Sequence, residues 1–179
     1  MKIVDLSQPI YNNMPVYPGD PEVEIKQAFT LVKDSWNMNT IFLPAHIATH
    51  VNVPIHAVDG GKTLDDYSLV SFFGKSVVFK NLESVKVGIG LFFEQASIKD
   101  EVVQKIIKIR PKFVGVQGYF ASDSELETEK LLLRKGIISF EGLINVNKIP
   151  KNKQFMFYGL PLKIKDGDGS PIRAVAVIE

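Results

Sequence analysis

All three histidines of this 179-residue chain, His46, His50 and His56, fall within eleven consecutive residues. They sit in the run PAHIATHVNVPIH from Pro44 to His56, with Asn52 between the last two. Imidazole is the commonest metal ligand, and its unperturbed pKa near 6.5 also suits proton transfer at neutral pH. The segment is therefore read as a metal-centred catalytic site. The bland alternative is three histidines satisfied on a solvated surface; it fits one lone histidine better than a cluster holding every histidine in the chain. On a helix, positions 46 and 50 would share a face while 52 and 56 rotated away from it. On an extended chain 46, 50, 52 and 56 have one parity and project to one side. Pro44 and Pro54 also favour extended backbone. The expectation is an extended strand that lines imidazoles and one amide along a single cavity.

The elements that must position this segment are mostly short strands rich in β-branched and aromatic residues. They are expected at Lys2–Val4, Val23–Phe29, Met38–Leu43, Lys75–Phe79, Gly88–Phe93, Phe113–Gln117, Ile137–Glu141, Phe155–Tyr158 and Ala174–Ile178. Two helices are expected. One runs from about Ser97 to Ile109, with Ser97 as cap, Asp100 in the capping-box region, an apolar face of Ile98, Val102, Val103, Ile106 and Ile107, and Pro111 as its stop. The other runs from about Ser124 to Arg134, with Leu126, Leu131 and Leu133 as anchors and Gly136 as terminator. Its glutamates 125, 127 and 129 lie near its start, favourable for the helix dipole. A turn of helix is expected at Leu64–Tyr67. Many strands with few, late helices describe one β-rich α/β domain over residues 1–179, not a regular βαβ repeat.

The histidine run resembles the H-x-G-T-H-x-D-x-P-x-H motif of the cyclase-like metal-dependent hydrolases, which include bacterial arylformamidase (kynurenine formamidase) and isatin hydrolase. The likeness extends along nearly the whole chain. Asp5-Leu6-Ser7-Gln8-Pro9-Ile10 and Tyr17-Pro18-Gly19-Asp20-Pro21 are similar to the family's opening elements. Gly136-Ile137, then Glu141-Gly142-Leu143, Leu160–Ile164 and Asp168–Ala174 are similar to its later ones. The resemblance implies an open barrel-like mixed sheet with helices packed outside, of the swivelling β/β/α type. It also implies a divalent metal, zinc or manganese, in a site that is usually binuclear. His46 and His50 match histidine ligands, Glu141 a carboxylate ligand, and His56 the general acid/base beside the activated water. The implied chemistry is metal-assisted hydrolysis of a small N-formyl or cyclic amide, as in conversion of N-formylkynurenine to kynurenine and formate, by a homodimer or homotetramer.

Three positions depart from that pattern. The motif's glycine is Ala48, a mild change unless the backbone there needs positive φ. Its aspartate ligand is Asn52, whose amide oxygen brings no charge. A family histidine twelve residues before the late glutamate is replaced by Glu129. His46, His50, Asn52, Glu129 and Glu141 carry the same formal charge as the family set, with one nitrogen donor exchanged for oxygen. That exchange favours harder cations, manganese or magnesium. The opposing reading makes Glu129 an ordinary acidic residue near a helix start, and the chain a non-catalytic small-molecule binding member of the fold. The stretch between Leu82 and Phe113 is compressed, and Gln117 stands where relatives often carry aspartate.

Composition narrows the rest. Twenty-one basic against twenty acidic residues give a formal charge of +1, with no basic cluster, so no nucleic-acid partner is expected. No cysteine is present, which removes thiolate metal sites and cysteine nucleophiles. Neither a signal peptide nor a membrane span is evident, so a cytoplasmic protein acting on a small molecule is expected. Tyr17, in a Pro-Gly turn, and Arg173 are the substrate-facing candidates; the structural alternative for Arg173 is an ion pair. Asp166-Gly167-Asp168-Gly169 lacks the spacing of a calcium loop and reads as a hairpin turn. Trp36, Phe42, Phe72 and Phe73 read as core or subunit interface.

Overall fold

A computed structural model describes residues 1–151 and 153–179. Its strands are β1 (Lys2–Asp5), β2 (Glu24–Phe29), β3 (Met38–Phe42), β4 (His50–Asn52), β5 (Phe73–Val78), β6 (Gly90–Phe93), β7 (Val114–Gln117), β8 (Ser139–Leu143), β9 (Phe155–Tyr158), β10 (Gly169–Pro171) and β11 (Val175–Ile178). The helices are α1 (Leu31–Asp34), α2 (Asp100–Ile109) and α3 (Asp123–Arg134). Nine strands form one open, curled sheet in the order β1-β11-β9-β5-β6-β7-β8-β4-β10. The central β5-β6-β7-β8 pairs run parallel and the flanking pairs antiparallel. Parallel neighbours need a crossover, and α2 and α3 supply it between β6, β7 and β8. The mixed, strand-rich sheet agrees with the expected fold class.

Alternation along the central strands divides the core. Phe92 points into the concave side, where it meets Phe157 at a ring separation of 4.7 Å, while Leu91 and Phe93 face the helices. Phe140 meets Phe157 at 4.8 Å and Phe113 at 5.3 Å in edge-to-face contacts. On the opposite side Val102, Val103 and Ile106 of α2 and Leu132 of α3 close over Val114 and Val116. Leu132 was absent from the expected anchors of α3, yet it is fully buried. Among the described residues no helix is long and apolar enough to cross a membrane.

The helix ends differ in one respect from the expectation. Lys99, not Ser97, occupies the N-cap of α2 and gives no side-chain cap bond. Ser122 caps α3 through a reciprocal box with Glu125. Gly136, at φ +72°, follows the end of α3. Thr63 and Asp66 form the same kind of box around the short turn at Leu64–Asp66.

The strand pair β2–β3 stands outside the main sheet, paired only with itself. It carries exposed Ile41 and Phe42, and the α1 turn at its tip carries Leu31, Val32 and Trp36. Phe72 by contrast is core.

The concave packing leaves no room beside Phe113. A Cβ on Gly90 would lie 2.1 Å from the Phe113 ring and 2.5 Å from Ser76 Oγ. Gly90→Ala is therefore expected to destabilise by about 1–3 kcal/mol through overpacking. A urea midpoint equal to wild type would refute this account.

Candidate metal centre

Strand β4 lies between β8 and β10, and its register builds the site. His50 faces Glu141 and Pro171 across the two pairings; Asn52 faces Ser139 and Gly169. Positions 50 and 52 share one face of the strand, whereas Val51 and Val53 point into the apolar core. A bulge in the β7–β8 pairing, between Gly115 and Gln117, sets two residues of β8 against one of β7. Those two are Glu141 and Gly142. Gly142 adopts φ +63°, and its carbonyl accepts from Thr49 Oγ1 at 2.6 Å and Gln8 Nε2 at 2.7 Å. The bulge thus aims the Glu141 carboxylate at His50.

The histidine run is not extended throughout, which corrects the parity argument. Only His50–Asn52 is strand; Pro54–His56 is a turn of 3-10 helix. Ala48 sits in the left-handed region at φ +52°, so the position does need positive φ. That reversal folds His46 back over His50, with ring centroids 5.4 Å apart and nearly perpendicular. The 3-10 turn then lays the His56 ring on His46 at 3.9 Å. The histidines converge through two turns, not through strand parity.

Asn52 is at the centre. Its Nδ2 donates to Glu129 Oε1 and to Glu141 Oε1, both at 2.5 Å, and its Oδ1 faces His46 Nδ1 at 2.7 Å. Ser139 Oγ also donates to Glu129 Oε1 at 2.9 Å, and the Phe120 N–H donates to Glu141 Oε2 at 2.7 Å. Glu129 is thus no solvated helix-start acid. It lies in the middle of α3, buried and turned into the site. His50 is also buried; its Nδ1 donates to the Ala48 carbonyl at 3.0 Å, and its Nε2 lies 3.6 Å from Glu141 Oε1.

Burial, and then the neighbouring Glu141 charge, push the Glu129 carboxyl up to about 8. Burial also acts to raise Glu141, but bonds from His50 and the Phe120 N–H outweigh it and hold that carboxyl low. Burial and the charge of His46 push the His56 imidazole below its ordinary range. Beside these, Asp168 Oδ2 lies 2.8 Å from His46 Nε2 and 3.7 Å from His56 Nδ1. Burial would raise the Asp168 carboxyl, yet the His46 contact holds it low.

The donor set fits a divalent cation. Among the described residues neither buried glutamate meets a lysine or arginine; the His50 imidazole is the nearest basic side chain, 3.6 Å from Glu141. Buried carboxylates are ordinarily paired or bound to metal. His46, His50, Asn52, Glu129 and Glu141 are brought together around this point, with His56 stacked on their outer edge.

The other two sequence candidates lie elsewhere. Tyr17 is exposed at a turn closed by the Asp20 N–H, with no hydrogen bond to the histidines among the described residues. The substrate-clamp reading of Arg173 gives way to an ion pair: its Nε and one terminal nitrogen donate to Asp5 at 3.2 and 2.7 Å. Gln117 accepts from the Val146 N–H, a structural role. Sequence reasoning missed Asp168, dismissed as part of a turn, together with Gln8, Ser139 and Tyr119. The Tyr119 ring stacks 6.2 Å from His50, and its hydroxyl accepts from Gln8.

Two outcomes follow from this geometry. Ala48→Gly relieves a left-handed alanine worth about 1–2 kcal/mol and loses about 0.4–1 kcal/mol of unfolded-state restriction. Its melting temperature is expected to equal or exceed wild type; a fall would contradict the strain. For metal-stripped protein, burial and the Glu141 charge lift the Glu129 carboxyl from its ordinary 4.5 to about 8 in the folded state. The stability this proton contributes is complete below 4.5 and is lost as pH rises through about 8. Denaturant midpoints should fall across that window and become flatter in Glu129→Gln.

Known proteins share this arrangement of strands. The chain is 30% identical to a kynurenine formamidase of Salinibacter ruber over 98% of its own length and 97% of the relative's. A solved potential metal-dependent hydrolase with cyclase activity superposes with a TM-score of 0.77 at 22% identity, over 99% of this chain and 98% of that one. Isatin hydrolase A from Ralstonia solanacearum does so at 0.78 and 18% identity, over 99% and 92%. With residues 4–116 matching the family model described as a putative cyclase, the chain belongs to the cyclase family.

Proposed function

We propose that this protein is a metal-dependent amidohydrolase that opens a small N-formyl or cyclic amide, in the manner of arylformamidase. The observation that carries the reading is the buried glutamate pair, flanked by two imidazoles and, among the described residues, supplied with no lysine or arginine. The relative named kynurenine formamidase supports the amide class. His46, His50, Asn52, Glu129 and Glu141 would hold one or two cations. Oxygen donors outnumber nitrogen there, which favours manganese or magnesium over zinc. A divalent cation in such a site supplies Lewis acidity and a water of lowered pKa.

The chain's own groups supply the rest. His56 is partly exposed beside His46 and is kept low in basicity, so a neutral ring at neutral pH can take a proton and return it to the departing amine. Tyr119, partly exposed and stacked near His50, offers a ring on which an aromatic amide can lie.

Elemental analysis of protein purified without chelator should find manganese, zinc or magnesium. A metal-free protein that cannot be reloaded with any of them would sink the proposal. His56→Ala should abolish hydrolysis of N-formylkynurenine and leave metal content unchanged. Saturable binding of an aromatic carboxylate without any hydrolysis by the metal-loaded protein would favour a non-catalytic binding member instead.

Asn52→Asp would set a third carboxylate against two others. In metal-stripped protein it should destabilise by about 1–3 kcal/mol, the cost of losing both donated bonds. Glu129→His in the same chain should recover part of that loss, because the two positions touch. A double-mutant cycle with no coupling would show that they act independently.

We also propose a homodimer or homotetramer formed through the β2–β3 pair. Two strands alone are marginally stable in water, and Trp36 and Ile41 are 64% and 62% exposed there. Trp36→Glu with Ile41→Glu should yield a monomer by light scattering; an unchanged mass would place the interface elsewhere.

A further inference from the structure

We infer that Asp168 is a positioning residue that fixes the ring of His46, so that His46 offers Nδ1 inward to the metal while His50 offers Nε2. This rests on the metal reading above and goes beyond it to a residue outside the ligand set and to the nitrogen each histidine uses.

Hydrogen-bond inventory fixes the side-chain orientations. Asn52 Nδ2 meets two carboxylates, so its amide orientation is set: reversing it would place its oxygen against both. Asn52 Oδ1 therefore lies toward His46 Nδ1, at 2.7 Å. The other nitrogen of His46, Nε2, lies 2.8 Å from Asp168 Oδ2, and a carboxylate can only accept there. Nε2 donates to that carboxylate and is committed there. Nδ1 is the ring nitrogen left to ligate, a cation taking the place of the hydrogen it shares with Asn52 Oδ1, which can also only accept. It points at Asn52 Oδ1 and hence at the glutamate pair. His50 shows the mirror arrangement. Its Nδ1 is committed to the Ala48 carbonyl at 3.0 Å, so Nε2 faces Glu141. Both imidazoles are thus held in the way metal-binding histidines usually are, with the non-ligating N–H donated to an oxygen.

The local chain is built for that contact. The Val53 N–H donates to the Asp168 carbonyl at 3.1 Å, locking the loop to the end of β4. Gly169, the next residue, gives the His46 ring its place: a Cβ there would lie 2.5 Å from His46 Cε1 and 2.9 Å from Nδ1. His56 stacks on the outer side of the same ring, and its Nδ1 is 3.7 Å from the same Asp168 oxygen. One half-buried carboxylate oxygen therefore organises two of the three histidines. His46, His56 and Asp168 could also ligate a cation directly, since their donor atoms lie within 4.8 Å of one another. The bond to Nε2 and the inward Nδ1 favour the positioning role.

With only three histidines, nitrogen-15 labelling of histidine resolves the question in the zinc-loaded protein. Long-range proton–nitrogen correlation should show zinc on Nδ1 and hydrogen on Nε2 for His46, and the reverse for His50. Asp168→Asn should lower zinc affinity about 10–100-fold, with stoichiometry and melting temperature of the zinc-free protein unchanged, and Asp168→Glu should recover part of the affinity. Zinc on Nε2 of His46, or unaltered affinity in Asp168→Asn, would overturn the inference. Loss of a whole zinc equivalent in Asp168→Asn would overturn it too, and would make Asp168 a ligand. A wild-type protein that takes up no zinc, manganese or magnesium would fail the metal reading itself, a result distinct from these.

Discussion

The amide of Asn52 separates two buried carboxylates that would otherwise face each other directly. Like charges about 4 Å apart repel by roughly 4 kcal/mol at an effective dielectric constant near 20. Asn52 donates to both, Ser139 donates to the same Glu129 oxygen, and the Phe120 N–H takes the second oxygen of Glu141. What remains is met by a proton held on Glu129 or by a cation. The rest of the site is arranged around this pair. His50 and His46 approach from one side, and α3 brings Glu129 from the other.

Such a cluster demands an accurately placed backbone, and the sheet provides it by making β4 an inner strand. Three residues suffice because β8 and β10 hydrogen-bond it on both sides. The Glu141-Gly142 bulge then turns a carboxylate out of a strand whose other residues are wholly buried. The same Gly142 carbonyl receives Thr49 and Gln8, so the turn that carries His46 is tied to the bulge that carries Glu141. Motif residues that ligate nothing, such as Gln8 and Gly142, have a physical task here. Ser7 has one too: it exchanges hydrogen bonds with Ala174 and closes the two ends of the chain together.

Much of the fold was legible because short β-branched runs and two amphipathic stretches dictate their own elements. The apolar, aromatic run ending at Phe93 is such a local signal and its strand stands where the sequence placed it, whereas the capping box of Ser122 and Glu125 went unread. The site was legible as a set of residues but not as a shape. Parity required an extended run, whereas the real path depends on a left-handed Ala48 and a proline-started turn at Pro54. Propensity argues against alanine at positive φ, so no local rule could have found that reversal. Leu132 and Glu129 show the same limit, since which side of α3 is buried depends on strands distant in sequence. Asp168 was hidden for another reason: a turn explains Asp-Gly-Asp-Gly completely until one sees which ring the loop lies against.

The two departures from the family motif are best understood as one change. Asn52 and Glu129 are in direct hydrogen-bond contact, although 77 residues separate them in the chain. With aspartate at 52, Glu129 and Glu141 would face a third carboxylate, and among the described residues no lysine or arginine is near to offset it. With histidine at 129, the Asn52 amide would lose one of its two acceptors. Each swap is costly alone, and together they keep the formal charge constant while moving one carboxylate from β4 to α3. A decayed site would have no reason to preserve that balance, nor to bury a glutamate in the middle of a helix without a base beside it. The buried contact between Asn52 and Glu129 therefore ties the two swaps together, as the proposed retuned metal centre requires.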